Sequence, residues 1–189
     1  NRQMQEYFIN ENDEFFSQIK LKFYCKGTPD NYEYEGMFES YYVNNNINSK
    51  GVYADGNKYG DWETYYEDGS LKSKVYFDYY GNGDYTSFLK TGEIYSKGRY
   101  KDYLKNGKWL IYYKNGNIEW TLFYLNDKIN PNILCSYWYQ SGYKKTEGFL
   151  VDFDEKIIWD GKFIEYYENG IIYQQGYYAD GKKNNKWIE

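Results

Sequence analysis

The feature that most constrains this chain is a repeat of about two dozen residues. Aligned on a leading glycine, units start at Gly36, Gly60, Gly83, Gly107, Ile133 and Gly161, with spacings of 24, 23, 24, 26 and 28 residues. A seventh start, Asn185, meets the last residues of the sequence. Counting the leading residue as zero, position two holds Phe38, Trp62, Tyr85, Trp109, Cys135, Phe163 and Trp187. Position six holds Tyr42, Tyr66, Leu89, Tyr113, Tyr139 and Tyr167, and position nine holds Asn45, Gly69, Gly92, Gly116, Gly142 and Gly170. A period of this length marks a chain that builds one supersecondary unit many times and stacks the copies.

Each unit reads as a β-hairpin. "KWLIYY" (residues 108–113) is aromatic and β-branched, which suits a pleated strand, "KNG" ends it, and "NIEWTLFY" returns. Asn-Gly or Asp-Gly between apolar runs is a strong hairpin signal, because both residues tolerate positive φ. A second turn at sites such as Asp55-Gly56 and Asp180-Gly181 leads into the next unit. The pattern predicts an all-β fold, an elongated single-layer antiparallel sheet of about thirteen or fourteen short strands.

Alternation along a strand sorts the side chains. Positions two, six, eleven and seventeen are expected on one side. There an aromatic meets the glycine at position fifteen (Gly51, Gly98, Gly148, Gly176), and a ring can lie across the bare backbone. Position five faces the other way: Tyr41, Tyr65, Phe88, Tyr112, Trp138 and Tyr166, among charged or polar neighbours such as Glu63, Lys90 and Glu168. Two readings of this second row stand side by side. The rings form an exposed interaction patch, or the stems of Lys and Glu shield them.

Residues 1–35 read as a degraded unit that caps the array, a hairpin with a short helix over "NDEFFSQIK" as the alternative. Residues 36–189 are the six units and the truncated seventh, one continuous domain. The fifth unit is irregular: Pro131 precedes it, Cys135 and Lys144 take core positions, and "DFDEKIIWDG" is inserted after it. A break in the sheet or a protruding loop is expected there.

Composition excludes several chemistries. The chain has no histidine, so the usual general base, the Ser-His-Asp and Cys-His arrangements and the commonest metal ligand are missing. Cys25 and Cys135 are four units apart and are read as independent thiols, too few for zinc. The acidic cluster Asp152, Asp154 and Glu155 lacks the glycine and terminal glutamate of a calcium loop. No catalytic residue, metal or cofactor is assigned. Net charge is −5, with lysines and arginines spread evenly, which argues against nucleic acid and disfavours a lipid surface. The first residue is Asn, so removal of an upstream tag or signal peptide leaves export open. Unpaired thiols lean toward a reducing, cytoplasmic compartment.

The segment "GKFIEYYENGIIYQQGYYADGKKNNKW" (residues 161–187) resembles the variant MORN repeat (membrane occupation and recognition nexus) of many bacterial proteins. The shared pattern is G-x-W/F-x-x-Y-Y-x-x-G-x-I/L-x-x-x-G-x-Y followed by Gly-Lys. It recurs six times over residues 36–189, with Ile133 and Asn45 as departures from its glycines. The resemblance implies a non-catalytic role in protein–protein contact. Some bacterial members of that family are antitoxin components, and eukaryotic relatives are linked to membrane attachment.

The expected function is therefore a non-enzymatic scaffold that binds another protein through the position-five rings, with Tyr65, Phe88, Tyr112 and Trp138 as central anchors. An antitoxin or immunity-type inhibitor and a carbohydrate-binding module are the alternatives.

Overall fold

The computed structural model describes residues 2–9, 15–28, 31–153 and 156–189. Among them, strands account for all the regular structure. Two compact units divide at Glu93 and Ile94.

The first unit contains β1 (Arg2–Ile9), β2 (Phe15–Thr28), β3 (Asn31–Tyr41), β4 (Ile47–Ala54), β5 (Asn57–Tyr65), β6 (Leu71–Phe77) and β7 (Gly83–Phe88). Each strand pairs antiparallel with the next. The expected N-terminal capping hairpin is β1–β2. Residues 15–20 belong to β2 and not to a helix, and residues 12–14 of that expectation lie outside the described residues.

The second unit contains β8 (Ile94–Lys101), β9 (Leu104–Tyr112), β10 (Ile118–Leu125), β11 (Lys128–Ile129), β12 (Leu134–Trp138), β13 (Lys144–Asp152), β14 (Ile158–Tyr166), β15 (Ile172–Ala179) and β16 (Lys182–Ile188). The path runs β8-β9-β10-β12-β13-β14-β15-β16, all antiparallel, with β11 paired to β10 alone. The irregular fifth unit does not break the sheet but narrows its pairing, with β11 as a detour off the path. β12 holds β10 through only Trp120↔Tyr137 and Thr121↔Ser136, and the detour through β11 fills the rest. Asp154 and Glu155 of the acidic cluster lie outside the described residues.

Two turn chemistries alternate. Within a unit, Tyr66 N donates to Ser70 O at 2.9 Å and Gly69 N to Tyr66 O at 2.9 Å, and the same pair of bonds recurs at Tyr42, Tyr113, Tyr139 and Tyr167. Only the ninth residue takes positive φ there, Gly69 at +86° and Asn45 at +67°. This is a type I turn closed by a left-handed residue, so of the two residues read as tolerating positive φ only the second adopts it. Its eighth residue instead caps the turn: Asp68 Oδ1 accepts from Ser70 N at 3.0 Å, and Asn115 Oδ1 from Asn117 N at 3.0 Å. Between units the primed turn does appear, at Asp55-Gly56 and Asp180-Gly181 as read, and also at Asp102-Tyr103 and Asn126-Asp127, with positive φ at both residues of each.

The leading glycines other than Gly83, which opens β7, lie inside strands, at bulges. Lys50 pairs with Glu63 and Val52 with Tyr59, so Gly51 alone faces Gly60, Asp61 and Trp62. Gly98 likewise faces Gly107, Lys108 and Trp109. Gly60 and Gly107 take φ of +69° and +71° to make the bend. The bulge carries the position-two ring over the position-fifteen glycine, as expected. A Cβ on Gly51 would stand 2.2 Å from the Trp62 ring, and one on Gly98 2.0 Å from Trp109. The Trp62 indole N–H then donates to Val52 O at 2.9 Å.

The core is therefore a row of rings on one face. In the first unit Phe23, Tyr34, Phe38, Tyr53 and Trp62 follow one another at centroid spacings of 4.8 to 5.7 Å. In the second unit Leu122 at position fifteen is bulky, and Cys135, one step along the ladder in β12, is small; both are buried. A smaller cluster builds around Trp120, stacked on Tyr137 at 4.6 Å and packed against Phe153 and Trp159.

Candidate interaction face

The opposite face carries the position-five residues. They do not face the solvent freely: Tyr41, Tyr65 and Phe88 of the first unit and Tyr112, Trp138 and Tyr166 of the second are all half-buried. Position eleven lies with them, not with position two. A bulge before position five makes Tyr41 pair with Ile47, Tyr65 with Leu71, Tyr112 with Ile118 and Tyr166 with Ile172. The extra residue shifts the alternation, so the eleventh side chain flanks the fifth ring.

Charged stems cover these rings. In the first unit the Tyr41 hydroxyl donates to Glu39 Oε2 at 2.5 Å, and Tyr65 to Glu63 Oε2 at 2.5 Å. Lys50 Nζ lies 3.0 Å from Glu63 and 5.4 Å from the centre of the Tyr65 ring. The Tyr65 hydroxyl and the Glu63 carboxylate hold the Lys50 ammonium above the usual lysine range. The Tyr65 hydroxyl and the Lys50 ammonium in turn hold Glu63 below the usual carboxylate range. Burial, with the Glu39 hydrogen bond, pushes Tyr41 up to about 12. In the second unit Lys144 Nζ sits 5.5 Å over Trp138 and donates to Glu147 Oε2 at 2.7 Å, while Tyr166 donates to Glu147 Oε1 at 2.7 Å. Both the ring row and its shield are present, and the shield consists of hydrogen-bonded Lys–Glu–Tyr sets.

The first unit orders this face into rows across its strands. Beside the rings runs a charged row, Glu39↔Lys50↔Glu63↔Lys74, alternating in sign from β3 to β6. Beside that runs an apolar row, Met37↔Val52↔Tyr59, with Tyr76 following opposite Asp61. This row is the open part of the face: Met37 is 63% exposed and Tyr76 53%. Sequence reasoning missed it. The signal was available at position sixteen, where Val52, Tyr76, Phe123, Phe149 and Tyr177 recur with Arg99 as the exception.

Comparison with known families follows the same periodicity. Residues 58–79, 105–126 and 159–182 match the family model described as MORN repeat variant. Three of the units thus match that repeat model. Each match opens two residues before a leading glycine, Gly60, Gly107 or Gly161, so the matches keep the period read from the sequence. In the MORN-type unit of residues 58–79 the matched stretch spans the Tyr59, Asp61, Glu63 and Tyr65 side of the face. No curated protein matches the chain.

Among the described residues, no group of three His, Cys, Asp or Glu side chains is placed to hold a metal ion. Cys25 and Cys135 are free and buried, Cys135 with its thiol pushed up by burial.

Proposed function

We propose that this protein is a non-catalytic repeat scaffold that binds another protein through the sheet face carrying the position-five rings. The observation that supports the reading most is the open row Met37, Val52, Tyr59 and Tyr76. These side chains lie in line beside Glu39, Lys50 and Glu63, whose polar groups are already fixed. Apolar groups that folding leaves in water, beside side chains already held in place, lower the entropic cost of docking. The half-buried position-five rings, Tyr41, Tyr65, Phe88, Tyr112, Trp138 and Tyr166, then serve as rigid anchors that a partner covers further. MORN-type repeats are non-catalytic modules in general, which agrees with a role in contact rather than chemistry.

The test is capture of a partner from the native host by tagged protein, with Tyr65→Ala/Phe88→Ala as the variant. Capture is expected to fall while the thermal unfolding temperature stays within a few degrees. Unfolding of the variant at ambient temperature makes those rings scaffold and removes them from the binding reading.

A further inference from the structure

Resting on that reading, the geometry points to the occupant of one place on the face: we propose that the groove between the charged and apolar rows of the first unit takes an arginine or lysine side chain from an extended, cationic segment of the partner. The groove holds about 340 Å³ and is lined by Met37, Glu39, Lys50, Val52, Asp61 and Glu63, with the backbone of Phe38 and Gly51 beneath. It spans β3, β4 and β5, so its walls are fixed by strand pairing and not by loops.

Its chemistry is divided. One wall is aliphatic, Met37 and Val52, and methionine adapts its three rotatable bonds to whatever stem lies on it. The other is acidic, three carboxylates against one ammonium. That ammonium is already taken, since Lys50 lies 3.0 Å from Glu63. Asp61 is different: among the described residues no hydrogen bond or ion pair reaches its carboxylate, and its side chain is exposed. An apolar wall facing a free carboxylate fits a side chain with a hydrocarbon stem and a cationic head. A neutral or acidic ligand would leave the Asp61 carboxylate unpaired. The second unit does not repeat this arrangement. The matching row there runs Lys97↔Leu110↔Thr121↔Ser136↔Glu147↔Ile164, without alternating charge, so cation recognition is confined to the first unit.

Methionine labelling tests this directly. The chain has two methionines, Met4 on β1 and Met37 in the groove, so a methyl-labelled sample gives two signals. The probes are capped octapeptides of identical apolar sequence carrying two Arg, two Gln or two Glu. The Arg peptide is expected to shift the Met37 methyl saturably while Met4 stays in place. Asp61→Asn is expected to weaken that binding about two- to five-fold, and added salt to weaken it further. No Met37 shift with the Arg peptide, or equal shifts with all three peptides, overturns the proposal. So does a host partner whose capture is lost in Tyr65→Ala/Phe88→Ala but unchanged in Asp61→Asn. In that case the scaffold reading stands and the cationic occupant does not.

Discussion

The Trp62 ring lies so close over Gly51 that a single methyl group on Gly51 would stand 2.2 Å from it. Ring and glycine are one packing unit, contributed by adjacent strands and repeated at Gly98 and Trp109. Gly51→Ala is therefore expected to displace the indole, break its hydrogen bond to Val52 O and cost about 2–3 kcal/mol. Urea unfolding followed by tryptophan fluorescence measures it. The chain also contains the compensated version, Val75 paired with Tyr85. Gly51→Val with Trp62→Tyr is expected to be less damaging than Gly51→Val alone.

Tyrosines at position six join consecutive units. The Tyr66 hydroxyl donates to Phe88 O at 2.8 Å, Tyr113 to Trp138 O at 2.7 Å and Tyr42 to Tyr65 O at 2.7 Å. Replacing Tyr66 by Phe keeps the ring and leaves the carbonyl without its donor. A loss of about 1 kcal/mol is expected from chemical denaturation, against a smaller loss for Phe at exposed Tyr80.

The shielded rings give an alkaline signature. Tyr41 stands at about 12 against an ordinary 10.0, raised by burial and by its bond to Glu39, and Tyr166 also stands at about 12 for burial and Glu147. A phenol whose folded value is raised contributes stability that is complete below the unfolded value and is lost as pH rises through the folded one. Stability is thus expected to fall from about pH 10 to about pH 12. Absorbance titration of tyrosinate should show these two ionising after the tyrosines with smaller shifts and before Tyr113, which burial and Tyr137 raise further. Glu39→Gln should bring Tyr41 down only in part, since burial is the larger cause.

Cys25 and Cys135 are buried and free. A thiol reagent is expected to modify neither in the native protein and both in denaturant, with Cys135 also slowed by its raised pKa. Fast native labelling of Cys135 would contradict its burial in β12.

Most of the fold was legible because its signals are local and repeated. The ring-over-glycine relationship and the turns at Asp55-Gly56 and Asp180-Gly181 follow from residue type and spacing. The bulge before position five was not, since no residue type demands it, and it moved Ile47, Leu71 and their equivalents to the other face. Tyr103 and Asp127 were also missed as turn residues: each holds positive φ without glycine, at +64° and +65°. The strand pairing there imposes a conformation that the residue itself disfavours. For the site, the position-five rings were found by counting. Their shielding by Lys and Glu stems was one of two readings left open, and the row of Met37, Val52, Tyr59 and Tyr76 was not found, because exposure depends on which stems fold over which ring.

Site-specific photo-crosslinking tests the interaction face most directly. A benzophenone amino acid replaces either Tyr76, on the open row, or Tyr80, more exposed but in the turn after β6, and each protein is irradiated in host extract. A discrete adduct from position 76 and none from position 80 is the expected result. Equal capture from both, or capture from position 80 alone, would contradict binding through this face.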